Sequence, residues 1–263
     1  NGLIHVFSVS PILREGAVWV APRFFSKNDG PLRPLTCAVI AAAGSGTRMG
    51  EGVNKQFLML GDVPVLGRTL NAFEEADTVD EIIVVTREDC ILPVSRLVRS
   101  MGFTKVCGIV RGSGTRQQSV AEGLRHISGE CEFVAVHDGA RPLVSPEDIE
   151  RVCRAAYEDG AAAIGVRVKD TLKLVDKAGF IQRTADRSQL WAVQTPQVFS
   201  LSMYRAALAD AVLAGADYTD DCQLVERRGG RIRMVEGSYR NIKITTPEDV
   251  AYARLLLGME TDD

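Results

Sequence analysis

The chain reads as an α/β protein: a mostly parallel, twisted sheet with helices on both faces and a β-hairpin arm projecting from it. Three observations predict this. From residue 37 onward, short β-branched runs alternate with amphipathic stretches of helical period, which implies right-handed crossovers and a sheet buried on both sides. The alternation breaks at about 169–187, where two short extended runs flank the turn Asp176-Lys177-Ala178-Gly179. The composition, 46% hydrophobic and 25% charged over 263 residues, is that of a globular chain long enough for a substantial core.

In chain order, the apolar runs predict strands over 37–42, 81–86, 105–110, 133–137 and 161–168. Helical patterns lie between them near 64–76, 91–101, 115–127 and 145–157. Ser145-Pro146-Glu147-Asp148 reads as an N-cap with proline at the first helical position and acids in the first turn. The runs 171–175 and 180–184 form the hairpin. A lone two-stranded hairpin is marginal in water, so it is expected to pack on something, most simply a second subunit. Helices near 200–214 and 220–228, strands at 231–236 and 241–245, and a helix from Pro247 complete the pattern. Residues 1–36 stand apart. They are net basic (Arg14, Arg23, Lys27 and Arg33 against Glu15 and Asp29), whereas the rest is net acidic, and Pro11, Pro22, Pro31 and Pro34 prevent a long helix. The expected organisation is an N-terminal extension over 1–36, one domain over 37–258 with its arm at about 169–187, and a tail over 259–263.

Bulk properties exclude several classes. A net charge of −3 provides no basic field for a nucleic acid. No apolar run approaches the ~18–20 residues that span a bilayer, so no membrane partner is expected. The six cysteines, at 37, 90, 107, 131, 153 and 222, form no CxxC pair, which argues against structural zinc and for small buried residues in a reducing compartment. The expected location is cytoplasmic, or organellar if 1–36 is a transit peptide.

The first predicted strand runs into Ala43-Gly44-Ser45-Gly46-Thr47-Arg48-Met49-Gly50, and Lys55 follows. Glycines let backbone N–H groups approach an anion closely, and two cations beside them suit a triphosphate. Met49 stands where a dinucleotide fingerprint needs its third glycine, and the chain contains no Gly-Lys pair for a Walker A loop. Ligands of such sheets gather outside the carboxyl ends of the strands, where these residues fall.

Ala42–Met49 (AAGSGTRM) followed by Asn54-Lys55-Gln56-Phe57 resembles the nucleotide-binding signature of nucleotidyltransferases. Six further motifs follow in order: RGSGTRQQS (111–119), HDGARP (137–142), KDTLK (169–173), ADRSQLW (185–191), QTPQVF (194–199) and NIKIT (241–245). Together they resemble the 2-C-methyl-D-erythritol 4-phosphate cytidylyltransferases of non-mevalonate isoprenoid synthesis, over about residues 37–258. The resemblance implies a Rossmann-like sheet, CTP and a polyol phosphate as substrates, and a homodimer formed through the arm.

In the implied reaction a phosphate oxygen attacks the α-phosphorus of CTP. The second pKa of a phosphate monoester is about 6, so the nucleophile is already largely dianionic at pH 7 and needs no general base. Mutual repulsion of polyanions is the obstacle, and cations, a metal and orientation are the remedy. The resemblance assigns Arg48 and Lys55 to charge at the α-phosphate, Arg187 and Lys243 to holding the acceptor phosphate, and Arg141 and Thr171, with Thr195 and Thr219, to the acceptor. Asp138, at the end of the run 133–137, is expected to contact substrate and to hold Mg²⁺ or another divalent cation; His137 beside it reads as structural. The nucleotide is expected to meet Ala42, Ala43, Gly44, Gly46, Gly112, Ser113 and Ser119. Three other readings compete with this one. A cytidylyltransferase for another polyol phosphate, such as ribitol 5-phosphate, would share the loop and Asp138, whereas KDTLK and ADRSQLW favour methylerythritol phosphate. A non-catalytic nucleotide-binding protein would be expected to lack Arg48, Lys55 or Lys243, and an oxidoreductase is disfavoured by the glycine spacing. Arg240 departs from the family pattern, standing where an acid or small residue is often seen.

Overall fold

The computed structural model describes residues 33–44 and 54–259, and the backbone of 12–14 and 17–19; Gly46 and Arg48 lie outside the described residues. The strands are β1 (Ile12–Arg14), β2 (Ala17–Trp19), β3 (Thr36–Ala41), β4 (Met59–Leu60), β5 (Val63–Pro64), β6 (Glu81–Thr86), β7 (Val106–Arg111), β8 (Phe133–Asp138), β9 (Ala161–Arg167), β10 (Lys173–Val175), β11 (Ile181–Thr184), β12 (Trp191–Ser200) and β13 (Arg233–Glu236). The helices are α1 (Val65–Glu75), α2 (Ile91–Ser100), α3 (Arg116–Leu124), α4 (Pro146–Asp159), α5 (Leu201–Leu213), α6 (Asp221–Arg227) and α7 (Pro247–Leu256).

The main sheet has the order β1-β2-β7-β6-β3-β8-β12-β9-β13. Strands β7, β6, β3 and β8 pair in parallel, β12 runs antiparallel between β8 and β9, and β13 is parallel to β9. Because successive side chains of a strand point to opposite faces, each strand serves two cores. Ala38, Ile40, Ile82, Val84 and Ala135 meet α1, α2 and α4 on one side. Cys37, Val39, Ile83, Val85 and Val136 meet α3, α5 and α6 on the other. Each fully buried large apolar side chain contributes roughly 1.5–3 kcal/mol. A smaller cluster of Leu60, Val65, Ile244 and Ala253 seats α7.

Helix α4 begins as predicted: the Ser145 side chain accepts from the Asp148 N–H, and Gly160 ends the helix at φ 84°. Arg240 donates to the Leu256 carbonyl at the end of α7, so it caps that helix, where a cation is favoured by the free carbonyls.

Three features differ from the sequence reading. The ten-residue strand β12 was not anticipated. It carries Gln194, Thr195, Pro196 and Gln197, and an internal proline removes a ladder donor; a register shift between Val193 and Gln197 accommodates it. Residues 241–245 form no strand. Two of their backbone groups bond to the loop after β8, with Ile244 N–H donating to the Ala140 carbonyl at 2.8 Å and the Arg141 guanidinium donating to the Asn241 carbonyl at 2.7 Å. Finally, β1 and β2 lie within the expected N-terminal extension over 1–36, and β2 pairs antiparallel with β7 near the sheet edge. Arg33, from the same segment, forks onto both carboxylate oxygens of Asp80 at 2.8 and 2.9 Å.

Candidate active site

The site lies at the carboxyl ends of β3, β7 and β8. The last turn of β3 continues into Ala42, whose N–H donates to the Val85 carbonyl at 2.7 Å, then into Ala43 and Gly44. Across from it, Gly112 leaves β7 with its N–H on the Thr86 carbonyl at 2.7 Å. A Cβ on Gly112 would stand 2.6 Å from the Cβ of Ala43, so only glycine lets these two loops touch. Thr115 caps α3 with a capping box to Gln118, and Arg116 occupies the first turn.

These elements surround a cavity of about 320 Å³ lined by Ala43, Gly44, Lys55, Ser113, Ser119, Asp138 and Lys243, and also by Ala41, Gln56, Gly114, Thr115, Arg116 and Ala140. Lys55 sits on a short 3-10 turn, Lys55–Phe57, capped by Asn54, and its ammonium donates to the Ile244 carbonyl at 3.2 Å.

Asp138 ends β8 and is buried. Arg116 Nε lies 3.1 Å from its Oδ1; Lys243 Nζ and Arg141 Nε lie 2.9 and 3.6 Å from its Oδ2. Burial raises the Asp138 pKa, but the charges of Arg116, Lys243 and Arg141 more than offset it and hold the carboxyl well below its usual range. Beside it, burial pulls His137 down to about 3, so the ring is neutral. His137 Nδ1 lies 3.0 Å from the Thr195 hydroxyl, which also accepts the Asp138 N–H at 3.1 Å. With that N–H accepted, the hydroxyl proton is available to Nδ1, and Nε2 faces the Arg141 carbonyl at 3.4 Å.

The structure thus brings together Ala43, Gly44, Ser113, Ser119, Lys55, Asp138 and Lys243, with Arg141 behind Asp138 and with Ala42 and Gly112 packed beneath the two loops. Several expectations change. Ser119, expected at the base or ribose, uses its hydroxyl to accept from the Ser113 N–H and donate to the Ser113 carbonyl, both at 3.1 Å, which fixes the loop. Thr195, expected at the acceptor, is only 4% exposed and its hydroxyl is committed beneath Asp138. Thr171 and Arg187 are exposed at the base of the arm, where Arg187 donates to the Lys169 carbonyl at 2.8 Å, and Thr219 is exposed in the loop before α6; none of the three lines the cavity.

Asp138 offers a single carboxylate whose oxygens already meet Arg116, Lys243 and Arg141, so a divalent ion held there would need substrate phosphates and water for the rest of its coordination.

Sequence reasoning missed Arg116, Asp221 and Gln56. Arg116 stood inside the motif 111–119, one residue after the helix cap at Thr115, and that position was the available signal. Gln56 likewise stood in the motif 54–57, whereas Asp221 becomes legible only once the chain is folded. Among the described residues no helix is long and apolar enough to cross a membrane.

Comparison with known proteins agrees with this geometry. The sequence model of the family described as "IspD: 2-C-methyl-D-erythritol 4-phosphate cytidylyltransferase" matches residues 36–259. A curated protein of that name from Caldanaerobacter subterraneus is 47% identical over 221 residues, covering 84% of this chain and 97% of the relative. One from Syntrophotalea carbinolica is 48% identical over 227 residues, covering 85% and 97%. Among solved structures, the cytidylyltransferase from Thermus thermophilus superposes with a TM-score of 0.70 at 33% identity, covering 84% of this chain and 98% of that one. The 4-diphosphocytidyl-2C-methyl-D-erythritol synthase from Anaerococcus prevotii gives 0.78 at 32%, covering 86% and 96%. With matches of this length and a glycine-bounded, cation-lined cavity at the strand ends, the chain belongs to the 2-C-methyl-D-erythritol 4-phosphate cytidylyltransferase family.

Proposed function

We infer that this chain transfers the cytidylyl group of CTP to 2-C-methyl-D-erythritol 4-phosphate, giving 4-diphosphocytidyl-2-C-methyl-D-erythritol and pyrophosphate in non-mevalonate isoprenoid precursor synthesis. The observation that carries this reading is the convergence of Arg116, Arg141 and Lys243 on Asp138, a carboxylate that lines one cavity with Arg116, Lys243 and Lys55. Such a site attracts phosphate and offers no poised base, since His137 is buried and neutral.

A phosphate oxygen of the acceptor forms a new bond to the α-phosphorus, and the bond to the bridging oxygen breaks, its electron pair leaving with pyrophosphate. Lys55, together with Arg48 of the glycine loop, neutralises charge on the α-phosphate. Lys243 holds the acceptor phosphate for in-line attack, and Asp138 keeps the cations assembled. Mg²⁺ or another divalent ion enters this proposal only on the substrate phosphates, and no step is assigned to a protein-held metal.

The arm belongs to a homodimer. Its Leu174, Val175, Phe180 and Ile181 are exposed, an arrangement that burial against a second copy relieves. The dimer carries Thr171 and Arg187 toward the neighbouring active site.

The decisive experiment is a pyrophosphate-release assay with CTP, a divalent cation and methylerythritol phosphate, repeated with Lys55→Ala. Loss of one such charge-stabilising donor is expected to lower kcat by about 100- to 1000-fold. Undiminished turnover by the variant, or faster turnover of ribitol 5-phosphate by the wild type, overturns the reading.

A further inference from the structure

Beneath the cavity wall lies a buried carboxylate that the reaction as described does not use. Asp221, in the first turn of α6, is 1% exposed. Its Oδ1 accepts from the Tyr204 hydroxyl at 2.5 Å, and its Oδ2 accepts from Arg116 Nη1 at 2.6 Å. Tyr204 is itself fully buried on α5, stacked on Phe199 of β12 with ring centroids 5.0 Å apart.

A buried carboxylate is costly unless it is paired and hydrogen-bonded, and both Asp221 oxygens are so occupied. Arg116 has a planar fork that engages two carboxylates in fixed directions. One side of that fork is anchored on Asp221; the other, Nε, holds Asp138 Oδ1 at 3.1 Å. The second Asp138 oxygen is thereby left to Lys243 at 2.9 Å.

We propose that Tyr204, Asp221 and Arg116 form a positioning relay that fixes the Asp138 carboxylate and, through it, the Lys243 ammonium that receives the acceptor phosphate. Asp221 and Tyr204 touch no substrate; they act through Arg116. The relay runs from the core between α5 and α6, through Arg116 at the start of α3, to the Asp138 carboxylate and the Lys243 ammonium. This inference rests on the functional reading above.

The test is steady-state kinetics of Asp221→Asn, Arg116→Lys and Tyr204→Phe, varying CTP and methylerythritol phosphate separately. A lysine keeps the charge of Arg116 but cannot engage both carboxylates. Asp221→Asn and Arg116→Lys are expected to raise KM for the polyol phosphate by about tenfold or more while KM for CTP stays within about twofold, the signature of damage confined to one half-site. Tyr204→Phe, which removes one hydroxyl, shows a smaller rise in the same constant. Arg116→Lys indistinguishable from wild type, or KM values rising equally for both substrates, overturns the relay. Should Asp221→Asn fail to fold, the other two variants decide by the same split. A wild-type protein inactive with methylerythritol phosphate would instead refute the functional reading itself.

Discussion

With Arg116, Arg141 and Lys243 all within 3.6 Å of one carboxylate, Asp138 cannot neutralise its neighbours alone; Asp221 offsets Arg116, and the remaining positive charge faces the cavity. Asp138 therefore gathers cations that would otherwise repel one another and leaves them in surplus for a phosphate. Asp138→Asn removes the charge and keeps the shape. It is expected to lower kcat/KM for the polyol phosphate by about 100-fold, a loss of transition-state stabilisation typical of a preorganised electrostatic site. A variant within threefold of wild type in pyrophosphate release would contradict this. Asp138 was legible in the sequence because a carboxylate directly after a buried apolar run must stand at a strand end. Its partners were only partly legible. Arg141 and Lys243 lay in recognisable motifs, but pairing requires the 241–245 segment to cross over the loop after β8, and no local pattern encodes that crossing.

The glycine-bounded loops and the arm carry the next predictions. Gly112→Ala drives a methyl group to 2.6 Å from the Ala43 Cβ and 2.8 Å from the Ser119 hydroxyl oxygen. The two loops must separate, and the expected outcome is weaker CTP binding by calorimetry with little change in thermal midpoint. Wild-type CTP affinity would show that the loop contact is dispensable. In the arm, Phe180 and Ile181 are 73% and 64% exposed, and replacing both with aspartate is expected to yield monomers by sedimentation and to lower activity per chain. A variant that stays dimeric would remove the arm from the interface. The arm was visible in the sequence because alternation failed there and a turn signal replaced it. Strand β12 was not, since polar side chains in a sheet interior read as a loop until their partners are known. Gln197 illustrates this: its side chain accepts from the Cys222 N–H at 3.1 Å and donates to the Asp220 carboxylate.

For the whole molecule, the buried pair His137 and Asp138, both with depressed pKa values, shape the response to acid. His137 has its pKa lowered from 6.5 to about 3 by burial, so between those values the unfolded chain binds a proton that the folded chain refuses. Stability is complete above about pH 6.5 and falls as pH drops toward 3, by up to about 1.4 kcal/mol per pH unit. Asp138, whose carboxyl is also depressed in the fold, adds a further loss below about pH 4, its unfolded range. Urea midpoints measured from pH 7 to 4.5 should decline less steeply in His137→Gln than in wild type; parallel declines would argue against a buried neutral imidazole. The alternation of strands and helices made the doubly covered sheet readable, because periodicity is a local property, whereas the reversed direction of β12 is set by its neighbours. That reversal has a mechanical consequence. The arm, a separate two-stranded sheet, is joined to the ends of β9 and β12, which pair at Arg167 and Trp191, and Thr195 lies further along β12 directly under Asp138. Any displacement of the arm therefore enters β12 at Trp191 and meets the interruption between Val193 and Gln197 before it reaches Thr195, so that break sets how much of it the carboxylate feels.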